Sequence, residues 1–261
     1  MTSLHMRSAP RSGAHELPMT DAERAARVQL AACYRVFDQL GWTELIFNHI
    51  TLRVPGPGPE MVFLINPFGL HYSEVTASNL VAVDLDGQPV RPTPHAVNLA
   101  GFVTHSAIHA AVAGAHCVMH THTTSGSAVA CLEDGLSHDT FYGAQLEGRV
   151  ATHAFEGVTV NPEERGRLVA SIGDRRAVIL RNHGLLSWGA TIEEAFMWLW
   201  TLQRACDVQV AASAAGPLHR LPVAVRAQTV REAAGLQPAL CKAVFDALVR
   251  KVDAAGLSYR H

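Results

Sequence analysis

The chain has 261 residues and a mass of 28.1 kDa, a size that suits one large α/β domain with small appendages. Its 48% hydrophobic and 17% charged residues allow a sizeable core and argue against disorder beyond the ends. A formal net charge of −2 gives no basic footprint for nucleic acid or an anionic membrane. Five cysteines without a C-x-x-C pair argue against a disulfide framework and a cysteine-built zinc site.

The chain ends and the absence of long apolar runs lead to an expectation for location. Residues 1–19 carry basic side chains but no apolar segment like that of a signal peptide, and no apolar run has the length of a membrane span. We expect a cytoplasmic protein with a flexible leader over 1–19 and a folded domain over 20–216. Residues 217–261 are expected to form a helical extension that packs on the same domain or on a neighbouring subunit.

Hydrophobic periodicity in the first half of the chain predicts helices and strands in irregular alternation. Thr20 and Glu23 form a T-x-x-E capping box at the start of a first helix. Strands are predicted in HITLRV and MVFLIN, separated by the turn-rich PGPGPE, and Asp86-Gly87 marks a hairpin. A helix is predicted over Ala96–Ala113, followed by a short strand in CVMHTH and a helix that begins in SGSAVACLE.

The second half of the chain predicts a buried strand in RAVILRNHGLLSWG that breaks at Gly184. Thr191 and Glu194 cap the longest periodic helix that follows, and ALCKAVFDALVRKVDAAG predicts a last amphipathic helix. The long helix is apolar on more than one side, which indicates that it needs cover from several directions. Because hairpin signals are mixed with helices, we predict an α/β fold with a mixed sheet covered by helices on both faces.

His120 and His122, in the stretch CVMHTHTT, form the first candidate site. Residues i and i+2 of a strand project to the same face, so the two imidazoles would lie side by side. Neutral imidazoles in this arrangement suit a divalent cation of the zinc, iron or cobalt type. The alternative, two histidines that serve only the core or the surface, stays open on these residues alone.

His183, in RNHGLL, lies where the later predicted strand breaks at a glycine. Two imidazoles from one strand and a third from another would form a three-histidine site with an open position for water or substrate. His105 and His109 form a further pair, spaced i, i+4 on a predicted helix and therefore on one helix face. This pair lacks the glutamate of the zinc-protease motif HExxH.

Several segments in this order resemble the class II aldolase/adducin head family, and its adducin-like bacterial subgroup in particular. They are FNHIT, INPFGL, AGFVTHSAIHAAVAGAHCVMHTHT, GRVATHAFEG, ILRNHGLLSWGATIEEAF and RACDVQVAA. The resemblance implies a three-layer α/β/α fold around a central, largely antiparallel mixed sheet. It also implies homotetramers with sites at subunit interfaces. It also implies a small-molecule substrate. Finally, it implies one divalent cation per chain, bound by His120, His122 and His183; Zn²⁺ is the expected ion, and Fe²⁺, Mn²⁺ or Co²⁺ are alternatives.

The chain departs from the sugar-phosphate aldolases of that family at the positions of their Ser-Ser-Glu run, which fall on Leu99, Ala100 and Gly101. In those enzymes the serines hold phosphate, and the glutamate is a metal ligand and acid/base group. Their Thr-Gly pair falls on Phe68-Gly69. We therefore expect no useful affinity for fuculose 1-phosphate or ribulose 5-phosphate. Gly101 is expected to leave a coordination position open for water or a substrate oxygen.

Other residues are candidates for the missing acid/base group. His105 lies one helical turn after Gly101 and is expected to face the same cavity. Tyr142 and Glu147 lie in a segment that the resemblance places near the site. Tyr259 corresponds to the C-terminal tyrosines that reach a neighbour's site in some family members. The candidate substrate-binding residues are Asn48, His49, Gly69 and Gly101.

Three functions are compatible with the sequence. The first is a metal-dependent lyase, of the aldolase or decarboxylase type, acting on a small unphosphorylated hydroxy or oxo acid or a related carbonyl compound. The second is a non-haem Fe(II) oxygenase on the same scaffold. The third is a non-catalytic, adducin-like binding protein. We prefer the lyase because all three histidine ligands are present, which a pure scaffold does not need.

Overall fold

The computed structural model describes residues 18–56, 60–157, 163–233, 238–256 and 258–261. The predicted leader therefore lies outside the described residues apart from Pro18 and Met19, as do residues 57–59 of the PGPGPE loop. In chain order the elements are α1 (Asp21–Leu40), β1 (His49–Pro55), β2 (Met61–Ile65), a 3₁₀ turn (Tyr72–Glu74), β3 (Val81–Val83), α2 (Leu99–Ala111), β4 (Cys117–Thr121), α3 (Thr124–Cys131), α4 (Phe141–Gln145), β5 (Val150–His153), α5 (Glu164–Ile172), β6 (Ala177–Leu180), β7 (Gly184–Gly189), α6 (Ile192–Ala215), α7 (Val223–Glu232) and α8 (Pro238–Ala254).

The strands form a seven-stranded mixed sheet in the order β3-β2-β1-β4-β7-β6-β5. Neighbouring strands are antiparallel, except that β5 runs parallel to β6. The predicted central, largely antiparallel mixed sheet is confirmed. Strands β1, β4 and β7 lie in the middle of this order, and the candidate histidines lie on them or at their ends.

Helices cover both faces of the sheet. Helices α1 and α6 pack on one face, with α8 against both of them, and α2 and α5 pack on the other. Alternation along β4 separates the two cores, because Cys117 and Met119 belong to the first and Val118 belongs to the second. The three-layer α/β/α architecture is confirmed.

The long helix α6 is apolar on several sides, as predicted, but other elements of the same chain pack against its apolar sides. Phe196, Trp198 and Leu199 are buried here, and α6 packs against β7, α3, α4 and α8. The apolar composition of α6 is therefore no argument for a neighbouring subunit. None of the described helices combines the length and the apolar character needed to cross a membrane.

Several local predictions need correction. Thr20 caps α1 by accepting from the Glu23 backbone N–H at 3.1 Å. The Glu23 carboxylate instead binds Arg27 and Arg91, so the predicted capping box is only half formed. The segment RAVILRNHGLLSWG is a hairpin of β6 and β7 rather than a single strand that breaks at Gly184. The helix predicted from Ala96 begins at Leu99 and ends at Ala111, since Asn98 caps its first turn.

Candidate metal centre

The central strands place their histidines by register. His49 on β1 lies opposite His120 on β4, and Thr51 lies opposite Val118. Because alternate residues of a strand share a face, His49, Thr51 and His120 all project towards α2, on the Val118 side of the sheet. His122 follows the last residue of β4, and His183 lies in the turn between β6 and β7.

The turn before β7 brings His183 to the other two histidines. Asn182 has a φ of 54°, in the left-handed region that asparagine tolerates better than most residues. A Cβ added to Gly184 would lie 2.4 Å from the Thr121 carbonyl oxygen and 3.0 Å from Cδ2 of His122. Only glycine therefore lets β7 begin so close to the end of β4. This close approach explains why the N-H-G sequence accompanies the H-x-H pair.

The three predicted ligands converge through the same ring atom. Nε2 of His122 lies 2.6 Å from Nε2 of His120 and 2.9 Å from Nε2 of His183. Among the described residues this is the group of histidine, cysteine or acidic side chains that could hold a metal ion, with ligand atoms within 4.8 Å of one another. Nδ1 of His120 lies 2.9 Å from the Leu185 carbonyl oxygen. A carbonyl only accepts, so Nδ1 donates its proton there and Nε2 keeps its lone pair for a cation.

The electrostatic environment also favours neutral imidazoles. Burial, with like charge from the neighbouring rings, lowers the pKa of His120 well below its usual range. Burial lowers the pKa of His183 to about 4 and also lowers the pKa of His122. All three rings are therefore neutral near pH 7, the state in which imidazole binds a metal ion. The donor set fits a divalent cation of the zinc type.

The ring of His49 lies directly beside Gly101. A Cβ added there would lie 1.9 Å from Nε2 and 2.0 Å from Cδ2 of His49. The His49 ring is buried, with its centroid 5.3 Å from that of His120. The imidazole of His49 therefore fills the space into which a side chain at Gly101 would extend, and the open coordination position stays a prediction. Burial, with like charge from His122 and His183, lowers the pKa of His49 to about 3.

His105 lies behind His49 rather than in the cavity. It is fully buried, and its ring packs edge-on against His49 with centroids 4.3 Å apart. Its Nδ1 bonds the Thr51 hydroxyl at 2.8 Å, and the same hydroxyl bonds Nε2 of His109 at 2.7 Å. Thr51 was not predicted as part of the site, although its i+2 spacing from His49 places both side chains on one face of the strand.

Three predicted catalytic residues are engaged elsewhere in the same chain. Tyr142 packs against Trp200 with ring centroids 5.5 Å apart. Glu147 pairs with Arg226 at 3.6 Å. A catalytic role for either residue stays a prediction.

The third of these residues, Tyr259, is not free to leave its own chain. Its side chain is buried, and its hydroxyl donates to Asp253 at 2.8 Å. Its backbone carbonyl accepts from the Ala77 N–H at 2.8 Å, which fixes the tail on the surface of the same chain. In this conformation Tyr259 packs on its own chain, and its role at a neighbour's site stays a prediction.

Two of the predicted substrate-binding residues have structural contacts. The side-chain amide of Asn48 donates to the Trp42 carbonyl at 3.2 Å, and its oxygen is buried with no partner among the described residues. Gly69 has a φ of 99°, so the backbone turn after Phe68 requires a glycine there.

Residues 28–210 match the family described as Class II Aldolase and Adducin N-terminal domain. This chain belongs to the class II aldolase/adducin family. A Pseudomonas aeruginosa protein, named only provisionally as an aldolase class 2 protein, is 41% identical over 257 residues, or 94% of this chain and 98% of that protein. Rat alpha-adducin is 45% identical over 210 residues, which cover 78% of this chain but only 28% of the adducin.

Solved structures agree with this assignment. An aldolase II superfamily protein from Pseudomonas syringae superposes with a TM-score of 0.87 and 45% identity, covering 93% of this chain and 98% of that one. An L-fuculose 1-phosphate aldolase from Glaciozyma antarctica superposes with a TM-score of 0.78 and 29% identity, covering 94% and 96% of the two chains. The fold and the family of the chain are thus established together.

Proposed function

We propose that this chain is a metal-dependent lyase, of the aldolase or decarboxylase type, that acts on a small unphosphorylated hydroxy or oxo acid. The observation that supports it is the convergence of Nε2 of His120, His122 and His183 in one group, in which His120 is buried and the other two are partly buried. These residues would hold one divalent cation, for which Zn²⁺ is the preferred candidate. When bound, the cation supplies a Lewis acid that polarises a substrate carbonyl.

The protein's own residues prepare this site. The Leu185 carbonyl orients His120, so that its ring needs no rearrangement to offer Nε2. Ser127 donates to the carbonyl of His183 at 3.0 Å and holds the turn that carries it. His49 forms the wall beside His120 and, with His105 behind it, keeps that side of the site closed to water.

The preference for an unphosphorylated substrate follows from the N-terminus of α2. A helix N-terminus binds phosphate through free backbone N–H groups. Here Asn98 accepts from the Gly101 N–H at 3.3 Å, so that amide is already used. Leu99 brings no hydroxyl, and the His49 ring covers Gly101. A phosphate dianion would lose its hydration at this point without gaining the donors it needs.

Elemental analysis of freshly purified protein tests the cation. We expect about one divalent ion per chain in the wild type and a loss of that ion in His122→Ala. His116→Ala is the matched control, because His116 is exposed and lies outside the histidine group. A wild type without metal, or equal metal in His122→Ala, would contradict the proposal.

Thermal shift with small acids tests the substrate class. Glycolate or pyruvate should raise the melting temperature of the zinc-loaded protein and leave the metal-free protein unchanged. Fuculose 1-phosphate should have no effect at the same concentration. Oxygen uptake that requires Fe(II) and substrate, with no turnover on other metals, would favour the oxygenase instead.

A binding role without catalysis is the second candidate, and the 45% identity to rat alpha-adducin favours it. It predicts that no acid shifts the melting curve of either the zinc-loaded or the metal-free protein. It also predicts that metal removal leaves association with other proteins unchanged. Because the two candidates predict opposite responses to zinc and acid together, one titration series distinguishes them.

We also propose a homotetramer with the sites near subunit interfaces. Leu45 and Phe47, on the loop that leads into β1, are 67% and 42% exposed. These apolar side chains lie close in sequence to His49, so a subunit that covers them would also approach the site. Light scattering at micromolar concentration tests this, and a monomer would contradict it.

A further inference from the structure

Helix α3 holds the turn that carries His183. The Ser127 hydroxyl donates to the His183 carbonyl at 3.0 Å. The Asn182 backbone N–H donates to the Ala130 carbonyl, also at 3.0 Å. Residues 127 and 130 lie one helical turn apart, so the helix and the turn are joined at two points on one face of α3.

The N-terminus of α3 continues directly from His122. Thr123 is the N-cap residue of this helix, and its hydroxyl accepts from the Gly126 backbone N–H at 3.3 Å. His122 itself lies beyond the paired residues of β4, so the sheet does not fix it directly. His120, by contrast, lies within the strand. The placement of His122 and His183 relative to His120 therefore depends on the position of α3.

A buried glutamine of α6 ties down the N-terminus of α3. Gln203 is 3% exposed, and its side-chain oxygen accepts from the Thr123 hydroxyl. Its side-chain nitrogen donates to the Ser125 hydroxyl at 2.8 Å and to the Asp207 carboxylate at 2.7 Å. The Ser125 hydroxyl donates to the same carboxylate, whose other oxygen accepts from Arg204 at 3.2 Å. Both hydroxyls in the first residues of α3 are thus bonded to α6.

The orientation of the Gln203 amide follows from its neighbours. A carboxylate only accepts, so the amide nitrogen faces Asp207 and the amide oxygen faces Thr123. The Thr123 hydroxyl gives its one proton to Gln203 while it accepts from the helix backbone. An apolar side chain at position 203 would therefore deprive Thr123 of its acceptor and Asp207 of a donor.

We propose that Gln203 is a positioning residue of the metal centre, which fixes the place of His122 through Thr123 and the N-terminus of α3. The inference rests on the metal-dependent function proposed above and extends its machinery to α6. Zinc–imidazole distances vary little around about 2.0–2.1 Å, so a small displacement of one ring weakens binding. Removing groups that orient metal-binding histidines typically lowers affinity by about 10–100-fold. Because Gln203 acts through a helix, we expect the lower end of that range.

Zinc affinity, measured by competition with a chelator, tests the inference on two glutamines of α6. Gln203→Met keeps the length of the side chain, removes its hydrogen bonds, and should weaken zinc binding about tenfold. Gln209→Met is the matched control. Gln209 is also buried, and it accepts from the Ser137 N–H at 2.7 Å and donates to the Gly135 carbonyl at 2.9 Å, beyond the C-terminal end of α3. Both variants should lower the melting temperature of the metal-free protein, but only Gln203→Met should lose zinc affinity.

Cobalt(II) in place of zinc provides a spectroscopic readout, because its visible absorption depends on the coordination geometry. Thr123→Ser keeps the hydroxyl and should keep the wild-type affinity and spectrum. Thr123→Val removes the bond to Gln203 and should change both. Thr140→Val should change neither, although Thr140 caps α4 in the same way, accepting from the Gly143 N–H at 3.0 Å.

Two results would overturn the inference and leave the metal-dependent function intact. One is a zinc affinity of Gln203→Met equal to that of the wild type, or an equal loss in Gln209→Met. The other is an unchanged affinity and cobalt spectrum in Thr123→Val, which decides the matter even where Gln203→Met does not fold. If the wild type binds neither zinc nor cobalt, the proposed function fails and the inference with it.

Discussion

Replacing Gly101 by alanine tests the packing of the metal centre through the sign of a stability change. Alanine is the better helix former, and the exchange in an unstrained helix interior stabilises a protein by roughly 1 kcal/mol. Gly101 lies in the first turns of α2, where a Cβ would meet His49 at 1.9, 2.0 and 2.9 Å. Gly166 in α5 has no heavy atom within 4 Å of such a Cβ. The two glycines form a matched pair.

The size of the stability change in Gly101→Ala depends on how far the His49 ring can move. Its imidazole could escape the new methyl group only by rotating, but His105 and His120 hold it at centroid distances of 4.3 and 5.3 Å. Forcing an additional carbon into such a packed region costs typically about 1–3 kcal/mol. Gly166→Ala should therefore stabilise by about 1 kcal/mol, whereas Gly101→Ala should be neutral or destabilise by up to about 2 kcal/mol.

Urea unfolding of the metal-free protein at pH 7 measures both variants without a contribution from zinc. Adding His49→Ala to Gly101→Ala should recover the stabilisation expected from alanine in a helix, because the obstructing ring is gone. The resulting non-additivity is the signature of direct contact between the two positions. If Gly101→Ala stabilises as much as Gly166→Ala, the ring of His49 does not occupy the position assigned to it.

Three other measurements test the remaining features. Burial lowers the pKa of His109 from 6.5 to about 4, so the unfolded chain binds more protons between these values. Stability should therefore fall by up to about 3 kcal/mol as the pH drops through that window, and less in His109→Asn, by urea unfolding. Glu23→Gln, which removes the charge of a fully buried carboxylate paired with the buried Arg27 and the partly buried Arg91, should cost about 3–5 kcal/mol, whereas Asp21→Asn at an exposed pair should change stability far less. Removing zinc with a chelator should lower the melting temperature of the wild type but not of His183→Ala, since free zinc at about 100 times Kd adds about 2.7 kcal/mol.

The sequence predicts those parts of the site that depend on local spacing. His120 and His122 lie two apart near the end of a strand, and His183 precedes the glycine at a strand end, so their convergence follows from strand geometry and family resemblance. The packing of the His49 ring against Gly101 was not predictable in this way. It is a contact between a strand and a helix, and neither local sequence pattern indicates it.

Two further elements escaped prediction for a different reason. Strand β5 has only four residues and, among the described strands, pairs with β6 alone, and α5 has nine residues with charged side chains at several positions. Such short segments give too few repeats for a period to be recognised. Their stability comes from packing on the Val178 and Leu180 side of the sheet, which a single segment cannot reveal.

The contacts between α2 and β1 follow a shared spacing. Gly101, His105 and His109 lie four apart on one helix face, which corresponds to steps of about 6 Å, and His49 and Thr51 are separated by about 6.6 Å on the strand. The two spacings nearly match. Gly101 therefore meets His49, and His105 and His109 share Thr51.

This matching means that the site has room for an imidazole from β1 or for a carboxylate from α2, but not for both. We expect Gly101→Glu to lower the melting temperature strongly, because a buried carboxylate would collide with His49. His49→Ala in the same chain removes the ring and opens space for the new side chain, so the double variant should melt higher than Gly101→Glu alone. It should also bind zinc at least as tightly as His49→Ala, since a carboxylate can complete the shell. A double variant no more stable than Gly101→Glu would show that the two side chains do not compete for one place.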